Sequence, residues 1–255
     1  MSAAGGRERE PLLEVTGLRK AFGGIRAVDG VEMTLARGEV RALIGPNGAG
    51  KTTFFNLLTG HLAPDAGVVR FRGKLLGGLA PHRIWRQGLA RTFQIPAVFP
   101  NLTLAENVQV ALLSSRRRTV SLIGRALHLE RERAATLLDR VGLGGQVVRP
   151  AGVLSYGDLK KLELAIALSN DPELLLLDEP TAGMAPAERR ALMALVETIG
   201  RARGLTLLFT EHDMDVVFSV ADRITVLHQG RVIADGAPAV VRADPEVQRV
   251  YLGEL

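Results

Sequence analysis

An α/β fold is predicted by three continuous apolar runs, Val40 to Ile44, Leu174 to Asp178 and Leu205 to Phe209, set apart by stretches of helical apolar spacing. Runs of this length without polar alternation suit parallel strands covered on both faces by helices. The second observation is a stretch from about Pro96 to Leu168 that reads mostly helical, with apolar spacing in ERERAATLLDRVGLG and LKKLELAIALSN, and that interrupts the strands. It is drawn as an inserted helical lobe. The third lies upstream of Val40, where LLEVTGLRKAFGGIRAVDGVEMTLARGEV mixes period-two alternation with turn signals at Gly17, Gly23-Gly24, Asp29-Gly30 and Arg37-Gly38. That pattern predicts short antiparallel strands feeding into the first buried one.

The elements fall into a polar leader, 1–11, and one domain, 12–255. Within the domain, 12–95 form a β subdomain and phosphate-binding core, 96–168 the helical lobe, and 169–255 the return to the core. The last part ends in a hairpin, DRITVLHQGRVIADG, that turns at Gln229-Gly230, and in a polar tail closing on RVYLGEL. The chain carries no internal repeat, so it is one unit rather than a tandem pair.

Composition bounds the function. A chain of 255 residues with 47% hydrophobic and 23% charged residues builds a core of its own, and only 4% aromatics argue against a surface that stacks bases. Lysine and arginine exceed the acids by 32 to 27, a net charge of +5 that suits an anionic ligand, an anionic lipid surface or nucleic acid without choosing among them. There are no cysteines, which excludes disulfides, thiol chemistry and thiolate metal sites. MSAAGGRERE lacks the apolar stretch of a signal peptide and no apolar run approaches the ~20 residues of a membrane span, so a cytoplasmic, soluble or peripheral chain is expected.

The strongest motif is Gly45-Pro46-Asn47-Gly48-Ala49-Gly50-Lys51-Thr52, which fits G-x-x-x-x-G-K-[ST] between a predicted strand and a predicted helix. The glycines let backbone N–H groups turn inward around phosphates and the helix N-terminus adds its dipole. Lys51 reaches the β and γ oxygens, and the Thr52 hydroxyl, with Thr53 beside it, stands where Mg²⁺ is ligated. Downstream, Leu174 to Leu177 deliver Asp178 and Glu179 to the end of a buried strand, the edge where open α/β sheets bind ligands. With a phosphate loop upstream, Asp178 is expected to hold Mg²⁺ through its water shell and Glu179 to polarise the attacking water.

These motifs, together with LSYGD at 154–158 and LLLLDEPTAG at 174–183, resemble the ATP-binding cassette (ABC) ATPases over essentially the whole chain from Leu12. The resemblance implies a P-loop NTPase core of the RecA type, an antiparallel β subdomain and the inserted helical lobe. Within the family, FGGIRAVDGV, ARTFQ, LSYG, EHDMDVV and VYLGEL look most like the ATP-binding subunits of bacterial importers of branched-chain amino acids and related compounds. The resemblance makes ATP and Mg²⁺ the cofactors. Phe22 would stack on adenine with Val28 as an apolar neighbour, and Gln94 would sense the metal and the attacking water while hinging the helical lobe. His212 would contact the γ-phosphate. Ser155 and Gly157, at a helix N-terminus suited to an anion, would close over ATP held by a second cassette packed head to tail.

Two departures from the family pattern stand out. Tyr156 and Asp158 replace a glycine and the glutamine of L-S-G-G-Q, and Gly183 and Met184 replace the leucine and aspartate of S-A-L-D. The implied partners are a second ABC ATPase, a sister subunit before a second copy, two membrane permeases and, indirectly, an extracytoplasmic solute-binding protein. The implied place is the cytoplasmic face of the cell membrane. Phe93, Ile95, Pro96, Val98 and Phe99 offer an apolar patch for a permease, and Arg116 to Arg118 a basic run. A non-transport ABC ATPase acting on nucleic acid or the ribosome is the second reading. Such proteins usually carry two cassettes, a long coiled-coil insert or zinc-binding cysteines, none of which is present. A P-loop kinase or GTPase would leave LSYGD and EHD without a role.

Overall fold

The structure, a computed structural model, describes residues 10–92, 98–115 and 123–252. Its N-terminal part is a long antiparallel pair, β1 (Pro11–Phe22) and β2 (Ile25–Ala36), that turns at Gly23-Gly24 with Phe22 opposite Ile25. After β3 (Val40–Ile44) and α1 (Lys51–Leu58), β4 (Ala66–Phe71) and β5 (Lys74–Leu75) complete a four-stranded sheet of order β2-β1-β4-β5. Next come α2 (Pro81–Arg86), β6 (Leu89–Arg91), α3 (Leu104–Ser115), α4 (Ile123–Arg140) and α5 (Tyr156–Leu168). The chain closes with β7 (Leu174–Asp178), α6 (Pro186–Arg203), β8 (Thr206–Thr210), α7 (Met214–Val220), β9 (Arg223–His228), β10 (Arg231–Gly236), α8 (Pro238–Ala243) and α9 (Pro245–Leu252).

A six-stranded sheet of order β10-β9-β3-β8-β7-β6 forms the centre, parallel except for β10. Side chains alternate across it, as the pleat requires. Val40, Ala42 and Ile44 of β3 and Leu175 and Leu177 of β7 enter one core with Leu162 and Phe209. Leu43, Leu174 and Leu176 enter the other, with Phe54 and Phe55 of α1 and the inner face of β1. In α3, Leu104, Val108 and Leu112 recur every four residues and share a core with Ala134 and Leu138 of α4 and with Val141 just beyond it. Because β3, β8 and β7 are neighbours about 4.8 Å apart, their carboxyl ends lie within roughly 10 Å of one another. That edge carries the site.

Two strands read from the sequence, Val40 to Ile44 and Leu174 to Asp178, stand as predicted, and the hairpin turns at Gln229-Gly230. The third strand lies one residue later. Gly204 caps α6 in the left-handed conformation (φ 62°) and the Leu205 N–H still closes on Gly200, so Leu205 belongs to the turn. The expected short N-terminal strands are instead two of twelve residues. Register shifts accompany Gly17, so this glycine marks a bulge where a turn was expected. The three-residue β6 is too short to leave a sequence pattern. Among the described residues no helix is long and apolar enough to cross a membrane.

Candidate functional site

The loop between β3 and α1 is shaped by two close backbone approaches. A Cβ on Gly45 would lie 2.1 Å from the Leu227 carbonyl oxygen, and one on Gly50 would lie 2.1 Å from that of Ala27. Only glycine fits at either position. Gly50 adopts φ 104° as the N-cap of α1 and offers no side chain, so the first-turn N–H groups of Lys51, Thr52 and Thr53 have no helical acceptor. The Pro46 carbonyl accepts from Ala49, Asn47 and Gly48 form the tip of the loop, and Gly230 of the last hairpin donates to the Ala49 carbonyl, bracing the loop from outside.

The Lys51 amine folds onto its own loop, donating to the carbonyls of Gly45 at 2.5 Å and Pro46 at 3.1 Å. Burial holds its pKa below the ordinary lysine value, against the opposing pull of Glu179 and then Asp178. A cation poorly solvated, facing two acids and set over a cradle of backbone N–H groups is matched to an anion. Thr52 is exposed beside it.

Asp178, at the end of β7, is fixed through both oxygens. Oδ1 accepts from the Thr210 hydroxyl at 3.0 Å and Oδ2 accepts from Arg91 Nη2 at 2.7 Å. The Thr210 hydroxyl in turn accepts from the Glu179 N–H at 3.0 Å. Glu179 holds φ 47°, a left-handed conformation that costs a non-glycine residue about 1–2 kcal/mol. His212 Nε2 lies 2.9 Å from Glu179 Oε1. Glu211 locks the surrounding loops: its Oε1 accepts from the N–H and hydroxyl of Thr181, and its Oε2 from the His212 N–H. The three strand ends thus bring Lys51, Asp178, Glu179 and His212 together.

The donor set suits magnesium. Among the described residues no three His, Cys, Asp or Glu side chains form a metal cluster. One carboxylate and one hydroxyl beside a phosphate cradle is the sparse, all-oxygen set that Mg²⁺ completes with nucleotide oxygens and water.

Phe22 is exposed at the end of β1, as a base-stacking ring requires, with the Lys20 amine 5.7 Å from its centroid. Val28 departs from expectation. It is buried in the core under the β1–β2 sheet because its strand alternation turns it inward, and the open apolar neighbour is Ile25, 74% exposed and directly across the hairpin. Gln94 lies outside the described residues, as do Phe93, Ile95, Pro96 and the Arg116 to Arg118 run. Phe99 is exposed, and Val98 packs half-buried on the core.

Ser155 is the N-cap of α5, its hydroxyl accepting from the Asp158 N–H at 3.2 Å. The Asp158 carboxylate pairs with Lys161 one turn on, at 2.9 Å. The two sequence departures meet: a Cβ on Gly157 would touch Met184 Cε at 3.5 Å, and one on Gly183 would touch Tyr156 Cε1 at 3.9 Å. The signature segment and the loop after Glu179 therefore abut within one chain.

A phosphate cradle on a helix N-terminus, an acid pair on the neighbouring strand and a histidine poised on the second acid define a nucleotide-hydrolysing P-loop protein. The chain belongs to the ABC transporter family: residues 28–182 match the family model "ABC transporter". Residues 231–254 match the model "Branched-chain amino acid ATP-binding cassette transporter". The chain is 43% identical over 253 residues to the high-affinity branched-chain amino acid transport ATP-binding protein LivG of Escherichia coli K12, covering 96% of this chain and 99% of the relative. It is 41% identical to BraF of Pseudomonas aeruginosa, covering 96% and 98%. A nucleotide-free ATP-binding cassette of an ABC transporter superposes with a TM-score of 0.84 at 32% identity, over 95% of this chain and 99% of that one. The ADP conformation of MJ1267, an ATP-binding cassette of an ABC transporter, gives 0.83 at 31%, over 96% and 99%. The chain is an ATPase of that family.

Sequence reasoning passed over Arg91, Asn56, Thr210, Glu211 and Ile25. TEHD does place Glu211 next to His212, but only the sheet order shows that Thr210 faces Asp178.

Proposed function

We infer that the chain is the ATP-hydrolysing subunit of an importer of branched-chain amino acids or closely related solutes. The observation that carries this reading is the convergence of Lys51, Asp178, Glu179 and His212 on one sheet edge, in a chain 43% identical over nearly its whole length to a branched-chain amino acid transport ATP-binding protein. The backbone cradle from Gly45 to Thr53 and Lys51 bind the nucleotide phosphates, and Phe22 with Ile25 holds the adenine. Thr52 and Asp178, with Gln94, would hold Mg²⁺, which would supply charge neutralisation for the phosphates. A water oxygen attacks the γ-phosphorus, the bond to the β-phosphate oxygen breaks, and the water's proton passes to Glu179, whose carboxylate His212 keeps in place. ADP and phosphate result.

Two cassettes work head to tail, Ser155 and Gly157 of each closing on the γ-phosphate held by the other. The second cassette is a sister subunit before a second copy. Two permeases anchor the pair at the cytoplasmic face of the membrane and receive solute from an extracytoplasmic binding protein. A permease segment would seat in the cavity of ≈ 430 Å³ lined by His61, Trp85, Phe99, Val110, Glu163 and Ile166, which opens beside the exposed Phe99. The test is uptake of labelled leucine, isoleucine and valine in cells lacking this chain. Wild type restores it and Glu179→Gln does not. Uptake indifferent to the chain would refute the solute class.

A further inference from the structure

Arg91 occupies a place that the ATPase chemistry above does not use. It ends β6, the three-residue edge strand, opposite Leu176 of β7, three residues before Gln94. Its side chain is only 6% exposed. Nη2 grips Asp178 Oδ2 at 2.7 Å, while Nη1 donates to Asn56 Oδ1 at 2.7 Å and to the Thr59 hydroxyl at 3.3 Å. The guanidinium carbon stands 5.5 Å from the Phe55 ring centroid, and the same side chain forms part of the wall of the cavity that holds His61, Phe99 and Glu163. One planar fork thus joins the second half of α1, the sheet edge and the tip of β7.

A buried charge pair is kept only where its geometry is good, and a fork that fixes one carboxylate oxygen while a hydroxyl fixes the other leaves the carboxylate one orientation. We propose that Arg91 is a positioning residue for Asp178: it holds the carboxylate in the orientation in which magnesium-nucleotide is bound, and it carries that grip to the wall of the cavity. Without it, Asp178 keeps only the Thr210 hydroxyl and is free to turn toward Lys51. Anything seated in the cavity meets the side chain that sets the metal carboxylate. Lysine keeps the charge but cannot reach Asp178, Asn56 and Thr59 at once.

The proposal rests on the chain binding its nucleotide with Mg²⁺, and the test separates the two. ADP binding to the full-length chain is measured by calorimetry, in EDTA and in excess Mg²⁺, for wild type, Arg91→Met and Arg91→Lys. Wild type gains affinity with Mg²⁺. Arg91→Met is expected to lose about tenfold of that gain, the low end for partners that orient metal ligands, with its affinity in EDTA unchanged. Arg91→Lys should recover part of it. If circular dichroism shows Arg91→Met unfolded, Arg91→Lys carries the test with an expected loss of roughly threefold. An unchanged or larger gain in the variants would overturn the proposal. So would an equal loss in EDTA and in Mg²⁺, which would make Arg91 structural only. A wild type with no Mg²⁺-dependent gain would remove the metal from Asp178 and defeat the proposal together with the reading beneath it.

Discussion

Thr210→Val tests how the two acids are held. Thr210 is fully buried, and its hydroxyl is the one group that both donates to Asp178 and accepts from the Glu179 N–H. Valine has nearly the same shape, so the change opens no cavity and removes only the hydrogen bonds. Loss of a hydrogen bond to a charged group costs about 1.5–3 kcal/mol and a part-buried N–H left unpaired about 1–3, together about 2.5–6 kcal/mol. Release of strain at Glu179 (φ 47°) would lower that figure by about 1 kcal/mol at most. At roughly 3 kcal/mol per molar urea the unfolding midpoint drops by about 0.5–2 M. Thr210→Ser keeps the hydroxyl and gives up one methyl, so its loss should stay near 1 kcal/mol. ATP hydrolysis, measured on the same samples by phosphate release, should fall about 10–100-fold in the valine variant, because both acids lose their common anchor. A valine variant within about 0.5 kcal/mol of wild type, or a serine variant that falls as far as valine, would refute the reasoning.

Three further outcomes follow from the same geometry. Glu179→Gln should abolish measurable hydrolysis while leaving ATP binding intact, and gel filtration in saturating ATP should show a closed pair of cassettes, with the sister subunit supplied where one is needed. A variant that stays monomeric in every such setting would sink the head-to-tail role of Ser155. Gly50→Ala places a Cβ against the Ala27 carbonyl at φ 104°, so ADP affinity measured by calorimetry should drop at least about tenfold with the fold retained by circular dichroism. His61 is exposed at the cavity mouth, and partial desolvation there, then the Arg91 charge, holds it below the ordinary histidine pKa. The unfolded chain therefore binds this proton more readily, and stability should decline as pH falls below about 6.5. The urea midpoint between pH 7.5 and 5 should decline less in His61→Gln than in wild type; parallel declines would contradict this.

What could be read before the structure divides along physical lines. The phosphate loop and the acid pair are local: a glycine spacing between a strand and a helix, and two acids closing an apolar run, carry their geometry in the order of residues. Gly17 misled because a positive-φ glycine signals a turn and a bulge alike. Val28 misled because distance along the chain from Phe22 says nothing of which way a strand residue faces, and the pleat turns it into the core while Ile25 stands open. Arg91 and Thr210 were out of reach for another reason. Their work depends on β7 lying between β6 and β8, a neighbourhood fixed by sheet order rather than by any spacing within one segment. The departures at Tyr156 and Gly183 likewise come together only once α5 and the loop after Glu179 are seen to touch.

The proposed role is that of the ATPase of an importer for branched-chain amino acids. The most direct measurement is ATP hydrolysis by the complex purified in mild detergent through a tag on this chain, with and without its leucine-loaded binding protein. Two polytopic membrane proteins and a second ATPase are expected in near-stoichiometric amounts, with hydrolysis that rises when the loaded binding protein is added. Recovery with nucleic acid or ribosomes and no membrane partner, or hydrolysis indifferent to the loaded binding protein, would contradict it.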